Sequence, residues 1–318
     1  MSFEGDLIRA GIIPDRDGSI RIEQSLYAKN LFPVRGDIWF VDKGRTTSGN
    51  GKSWERAFLT ITEAVTAAGN YDIILVAPGF YTEVATQVLT AAQHVGLKII
   101  GLNSSGKTRG PCAMKGPSGG VTTPIITISE NCNDVEISNI GFIATGAGKA
   151  IQLGDSASGY VWRTHIHNCG FFGDDVGTYA VGNYGITTAP AGGAFPDVAE
   201  TVVENCHFYA WKAGAAIATY GTRCLNRGNT IFVPATATGI VAGCGRPFLE
   251  ISSNKILGVN STDTGILITG NDDGSLVMVN NYLLNLAYPH TKAISDAGLA
   301  CNYSYNNSTT ITQHDPDT

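Results

Sequence analysis

At 318 residues the chain is long enough for a large core, and its formal net charge of −6, with Lys and Arg scattered rather than striped, argues against nucleic acid as the main partner. Hydrophobic residues make up 43% and charged residues 15%, yet no uninterrupted apolar run reaches the roughly eighteen residues of a spanning helix, so no membrane partner is expected. The 39 glycines suit a turn-rich β protein, and seven cysteines, an odd number without CxxC spacing, favour reduced buried thiols over disulfides or a zinc site.

Residues 1–36 mix charges with the apolar pairs Leu7-Ile8 and Ile12-Ile13 and the turn signals Pro14-Asp15 and Asp17-Gly18. They read either as an arm that docks on a neighbouring subunit or a larger assembly, or as a leader without fixed structure. Met1 to Arg9 lacks the basic start and apolar run of a signal peptide, so the expectation is a protein that stays where it is made unless it leaves within a larger particle.

From residue 37 the pattern becomes strand, loop, helix, strand. Ile38 to Val41 is a strand. Ile61, Ala64, Val65 and Ala68 have helical spacing, with Thr60 as N-cap, Glu63 three residues on, and Gly69 as a stop. A helix there would shield the open end of a stack of strands. After Leu97 to Gly101 comes a glycine-rich loop holding Gly106-Lys107-Thr108, which is followed by Arg109-Gly110-Pro111 rather than a helix and so is not a phosphate-binding loop.

A repeat then takes over. Its clearest copy is Thr201-Val202-Val203-Glu204-Asn205-Cys206-His207-Phe208, preceded by copies centred on Asn139 and Asn168 and followed by looser ones at Asn229, Asn254, Asn281 and Asn306. The steps between these asparagines are 29, 37, 24, 25, 27 and 25 residues, a solenoid period. Between them lie glycine-led apolar runs, at Gly148 to Gly154, Ala213 to Ile217, Thr238 to Val241, Thr264 to Ile268 and Thr291 to Ile294. The repeat is too short for a βαβ unit, yet each strand has one apolar face that a single coil cannot bury; stacking coils in parallel buries it. Asn suits the bend because it tolerates left-handed backbone, and stacked Asn side chains can bond as a ladder. Cys169 and Cys206 fall at one place in consecutive repeats, as a buried column of small side chains.

The stretch from Trp39 to Glu83, with Phe40-Val41-Asp42, Gly49-Asn50-Gly51, Ala57-Phe58-Leu59-Thr60-Ile61 and Asp72-Ile73-Ile74-Leu75-Val76-Ala77-Pro78-Gly79, resembles the capped first coil of pectate-lyase-like right-handed β-helix proteins. Leu97 to Gly101 resembles their next strand, and the match extends over residues 37–306. The expected fold is therefore all-β, a right-handed parallel β-helix with an N-terminal capping α-helix over 37–306, an attachment or oligomerisation arm at 1–36, and a tail at 307–318. The family includes polysaccharide lyases, epimerases, tailspikes and other virion proteins, so the resemblance specifies fold more than function.

Glycan-cleaving members use clustered carboxylates. Asp174-Asp175 resembles the paired Asp of polygalacturonases, with Asp155 as a further acid, but the remaining motifs of that pattern are missing. Tyr179, Tyr184 and Trp211 are candidate stacking platforms for a surface glycan, in or near the long insertion at 173–198. His165 and His167 alternate with Ile166 and so share one side of a strand; without a third ligand they read as surface or subunit-contact residues rather than a metal site. No cofactor is implied. The leading expectation is a non-enzymatic phage virion protein, a capsid decoration protein that forms a homotrimer and binds capsid or tail proteins through 1–36. The alternatives are a tailspike or polysaccharide lyase or hydrolase, and a non-catalytic carbohydrate-binding module.

Overall fold

A computed structural model of the chain describes residues 12–14, 20–22, 36–102, 112–116, 124–143, 148–155, 160–172, 184–188, 197–209, 215–233, 237–243, 249–258, 263–269, 276–284, 286, 288–293 and 301–305. Ile12–Pro14 and Ile20–Ile22 pair antiparallel with each other. From Ile38 onward every named strand pairing is parallel, and the strands fall on three main faces visited in turn, with Tyr160–Trp162 and Asp197–Ala199 forming a short fourth.

One coil shows the rule. Glu136–Ser138 lies on the first face, Gly141–Ile143 on the second and Lys149–Leu153 on the third, after which the chain returns to the first face as His165–His167. Each strand pairs with its equivalent one coil on. The registers Ile137↔Ile166↔Val203, Phe142↔Phe171↔Phe208 and Ile151↔Ile186↔Ile217 run through the first, second and third faces. The chain is a parallel β-helix. The glycine-led apolar runs are its third face, with the last of them shifted to Tyr288–Ala293.

Register explains the core. Successive side chains of a strand alternate sides, so one residue in two points inward and meets its equivalents from the coils on either side. Phe142, Phe171 and Phe208 are fully buried and stack, with ring centroids 5.2 and 4.5 Å apart. Each such burial is worth roughly 1.5–3 kcal/mol. Cys169 and Cys206 stack as expected, both fully buried, and Cys112, Cys132 and Cys224 are also buried free thiols.

Ahead of the first complete coil lies the helix Ile61–Ala67, here α1. Its Thr60 and Glu63 form a reciprocal capping box, Glu63 N–H donating to Thr60 Oγ1 at 3.2 Å and Thr60 N–H to Glu63 Oε2 at 3.0 Å. Buried Glu83 accepts the next two orphan donors, from Ile61 N–H at 3.0 Å and Thr62 N–H at 3.3 Å. Helix α1 fills the third-face place of its coil. It buries Ile61, Ala64 and Val65 in the same core cluster as Leu89 of Gln87–Leu89, the first strand of that face. Gln87 Nε2 donates to Thr62 Oγ1 at 2.7 Å, and His94 Nε2 meets Val65 O at 3.0 Å.

The asparagine turns need a correction. Asn139, Asn168 and Asn205 do sit at the bend with left-handed backbone, φ 58, 53 and 53°. Asn229, Asn254 and Asn281 do not. In their coils the left-handed place is held by Gly228, Ser253 and Asn280, at φ 64, 56 and 54°, and the asparagine follows one residue later. The register Gly170↔His207↔Thr230↔Lys255↔Tyr282 puts those three in the column of Cys169 and Cys206, pointing inward. There they form a ladder. Asn229 Nδ2 donates to Asn254 Oδ1 and Asn254 Nδ2 to Asn281 Oδ1, each at 3.0 Å, while each Oδ1 also accepts the backbone N–H of the residue one coil back. The six asparagines thus divide into three corner residues and three buried rungs. Asn306 lies outside the described residues.

Candidate functional site

The densest polar constellation is on the solvent side of the first face. Two outward rows run across its coils, one through Lys98, Glu136 and His165, the other through Ser138, His167, Glu204 and Arg227. Glu136 takes Lys98 Nζ on Oε2 at 2.6 Å and, diagonally, His167 Nε2 on Oε1 at 3.2 Å. Glu204 repeats this in reverse, with Arg227 Nε on Oε2 at 2.6 Å and His165 Nε2 on Oε1 at 2.8 Å. The two half-networks cross at the histidine strand, where the imidazoles stack at 4.2 Å.

Asn168 Nδ2 lies 3.1 Å from His167 Nδ1, on the opposite side of the ring from the contact with Glu136. Burial works against ionisation of Glu136, but hydrogen bonds from Lys98 and His167 and their charges outweigh it and hold the carboxyl below the ordinary Glu value. Glu204 is held down in the same way, against its burial, by Arg227 and His165. The charges of Lys98, Glu136, Glu204 and Arg227 sum to zero. Both carboxylates are thus ionised acceptors already committed to two donors each, an arrangement that clamps five coils together and presents a settled polar surface.

The histidines therefore share one side, as their spacing implies. Among the described residues no three His, Cys, Asp or Glu side chains converge as metal ligands. Asp155 is exposed in a turn, where Oδ2 accepts Ser129 Oγ at 2.7 Å and its N–H donates to Glu130 Oε1 at 3.0 Å. Asp174, Asp175, Tyr179 and Trp211 lie outside the described residues, and of Tyr184 only its place in the strand Tyr184–Thr188 is described.

A second surface escaped sequence reasoning. Tyr160–Trp162 is a short fourth-face strand pairing with Asp197–Ala199, and its two aromatic side chains are 46 and 41% exposed, edge to face at 5.7 Å. The signal was present as Tyr160-Val161-Trp162, whose period of two puts Val161 in the core and both rings in solvent. Beside it runs a corner of left-handed residues with alternating charge: Asp134, Arg163, Glu200 and Arg223. Arg163 grips Asp134 through Nε at 2.5 Å and Nη2 at 2.9 Å, and Arg223 meets Glu200 at 3.0 Å.

No protein-family model and no curated protein matches the chain. Among solved structures it is similar to ORF18 of Geobacillus virus E2, at 12% identity and TM-score 0.34 over 92% of this chain and 67% of that one. It is similar also to the enzymatically active domain of tailspike protein 2 of bacteriophage CBA120, at 10% identity and TM-score 0.33, where it covers 92% of its own length and about half (49%) of the other chain. A rhamnogalacturonan lyase follows at 12% identity and TM-score 0.30, over 78% of this chain and 75% of that one. The coil registers decide the architecture. This is a parallel β-helix.

Proposed function

We propose that the chain is a non-enzymatic structural protein of a phage virion, a capsid decoration protein that self-associates as a homotrimer and attaches to capsid or tail proteins through residues 1–36. The observation that carries this reading is the continuity of the columns. Hydrophobic, thiol and asparagine columns pass from coil to coil, and the first-face acids are neutralised in pairs across the coils they join, which together make a stiff rod suited to projecting from a particle. Mass spectrometry of purified virions tests it: the protein is expected in stoichiometric amounts, and its absence from particles of the phage that encodes it overturns the reading. Deleting residues 1–36 is expected to abolish attachment while preserving the far-UV spectrum.

A non-catalytic glycan-binding role is the second reading, and Tyr160 with Trp162 is the observation that favours it. An exposed indole beside a phenol offers a sugar ring an apolar face with polar edges. Glycan-array binding lost in Trp162→Ala, without cleavage of the bound glycan, supports that role. A lyase or hydrolase would show turnover that vanishes in Asp174→Asn.

A further inference from the structure

His94 stands apart from the first-face histidines. It is 3% exposed and sits between helix α1 and the turn that follows Gln87–Leu89. Both of its ring nitrogens meet backbone groups, whose roles as donor or acceptor cannot change. Thr90 N–H donates to Nδ1 at 2.9 Å and Nε2 lies 3.0 Å from Val65 O, so Nδ1 accepts and Nε2 carries the single ring hydrogen. Turning the ring over would put carbon against both groups. Among the described residues the ring has no further hydrogen-bond or ion-pair partner.

These two bonds hold the end of the helix. Val65 is in the last turn of α1, where carbonyls run out of helical donors. The donor due to it, Gly69 N–H, goes instead to Asp72 Oδ2 at 2.6 Å, and the His94 ring takes its place. The same residue closes its own turn, because His94 N–H donates to Thr90 O at 2.8 Å while Thr90 N–H donates to the ring. One side chain thus ties α1 to the chain that leaves the first strand of the third face. That strand, Gln87–Leu89, pairs on one side with Ile126–Ile128 and has α1 on the other, with Ile61, Ala64 and Val65 in the core cluster beside Leu89. A helix laid there covers a strand edge that would otherwise be open to pairing.

A second proton on the ring has to go on Nδ1, where Thr90 N–H already points. Donor then meets donor in a buried place, with no carboxylate to receive the charge. The charged and titratable groups of the surrounding elements are committed elsewhere. Glu63 and Glu83 cap the first turn of α1, and Asp72 accepts Asp37 N–H at 2.5 Å and Trp39 Nε1 at 2.7 Å as well as Gly69 N–H. Lys98 pairs with Glu136; on the next coil Glu130 accepts Asp155 N–H, Asp134 holds Arg163, and burial pushes the Cys132 thiol up to about 12. The C-terminal end of a helix favours a cation, but the field of seven residues is small against a buried ring whose acceptor nitrogen has been taken away. We infer that His94 is an acid-sensitive latch on the N-terminal cap: protonation drives the ring off Thr90, releases the end of α1, and bares the edge of Gln87–Leu89 with the apolar residues beneath the helix. The closed latch holds the neutral ring, so it is fully effective above the ordinary imidazole value of about 6.5 and is lost as pH falls below it.

Amide hydrogen exchange of the purified full chain, corrected for the intrinsic effect of pH, tests it. With the opened ring titrating at its ordinary value, protection of Ala68 N–H and His94 N–H is expected to fall roughly 30-fold between pH 7.5 and pH 5.0. The strands Gly141–Ile143 and Gly170–Phe172 are expected to keep theirs. His94→Gln retains a donor for Val65 O and does not titrate, so it is expected to remove the response, whereas His167→Gln on the first face is expected to leave it. Nitrogen NMR of the wild-type ring needs no substitution and is expected to show hydrogen on Nε2 at pH 7.5. Unchanged protection of the wild-type cap at pH 5.0, a response that survives His94→Gln or disappears in His167→Gln, or a ring protonated on Nδ1 at pH 7.5 would each overturn the inference.

Discussion

Replacing Asn254 by Gly separates the two kinds of asparagine. Asn254 is 1% exposed, and its side chain makes four bonds: Oδ1 accepts Asn229 N–H and Asn229 Nδ2, and Nδ2 donates to Asn281 Oδ1 and to Asn226 O. Asn229 Nδ2 keeps Val203 O and Asn281 Oδ1 keeps Asn254 N–H, so two backbone groups, Asn229 N–H and Asn226 C=O, lose the partner the side chain gave them. Each buried group left unpaired costs about 1–3 kcal/mol, and the greater backbone freedom that glycine loses on folding, here between the strands ending at Ser252 and starting at Lys255, adds about 0.5–1. The sum is about 4 kcal/mol. Asn205→Gly is the contrast. Asn205 is exposed at φ 53°, a conformation glycine adopts freely, and native Gly228 already holds that place one coil on, where a Cβ would lie 2.7 Å from Asn205 Oδ1. Its expected change is within about 0.5 kcal/mol. Urea unfolding followed by both tryptophan fluorescence and far-UV circular dichroism gives the difference, and hydrogen exchange at Asn229 N–H gives a local value that survives if the solenoid does not unfold in one step. If Asn254→Gly costs no more than Asn205→Gly, the buried ladder contributes nothing and the reasoning fails.

Acid should weaken the fold through the first face. Glu136 and Glu204 have folded pKa values below the ordinary 4.5, so the stability they contribute is fully present above that value and is lost as pH falls through their folded values; melting curves from pH 6 to pH 3 should show the decline, and Glu136→Gln with Glu204→Gln should flatten it. Phe171→Ala, in the middle of the stacked phenyl column, should cost about 3–5 kcal/mol by denaturant unfolding. Burial pushes the Cys112, Cys132 and Cys224 thiols up to about 12 and Cys206 well above its ordinary value, so these four should resist a thiol reagent at pH 8 in native buffer and react in denaturant; fast labelling of any of them in the native protein would contradict their placement in the core.

Period and core were legible because a solenoid writes them locally. An apolar residue two before Asn139, Asn168 and Asn205 and another three after it are Ile137 and Phe142, Ile166 and Phe171, Val203 and Phe208, and all six are inward and buried. The same template laid on Asn229 selects Phe232, on Asn254 Leu257 and on Asn281 Leu284, which point outward, while the inward residues stand two after the asparagine, at Ile231, Ile256 and Leu283. A shift of one residue in a period-two strand exchanges the faces, so the +2 spacing was the mark of an asparagine inside the coil. The histidine pair was half legible. Alternation with Ile166 set their side, but their partners Glu136 and Glu204 stand 31 and 39 residues away, and the unequal insertions between coils hide that alignment.

What stacking does to the inside it does not do to the outside. An inward residue is touched by its equivalents from the coils on either side, so a change in volume at one rung is felt by two others and each column settles on a few side-chain types, as the phenyl and isoleucine columns do. Outward residues meet solvent on one side, and here each row has taken a different chemistry: paired charges on the first face, an apolar row on the second, alternating signs along the corner from Asp134 to Arg223. The functional unit is consequently the row rather than the sequence motif. Residues some thirty positions apart become neighbours 4.8 Å apart, and a partner reads a line of them at once. That is why the three-residue strand His165–His167 means little by itself and acquires meaning only from the coils on either side of it.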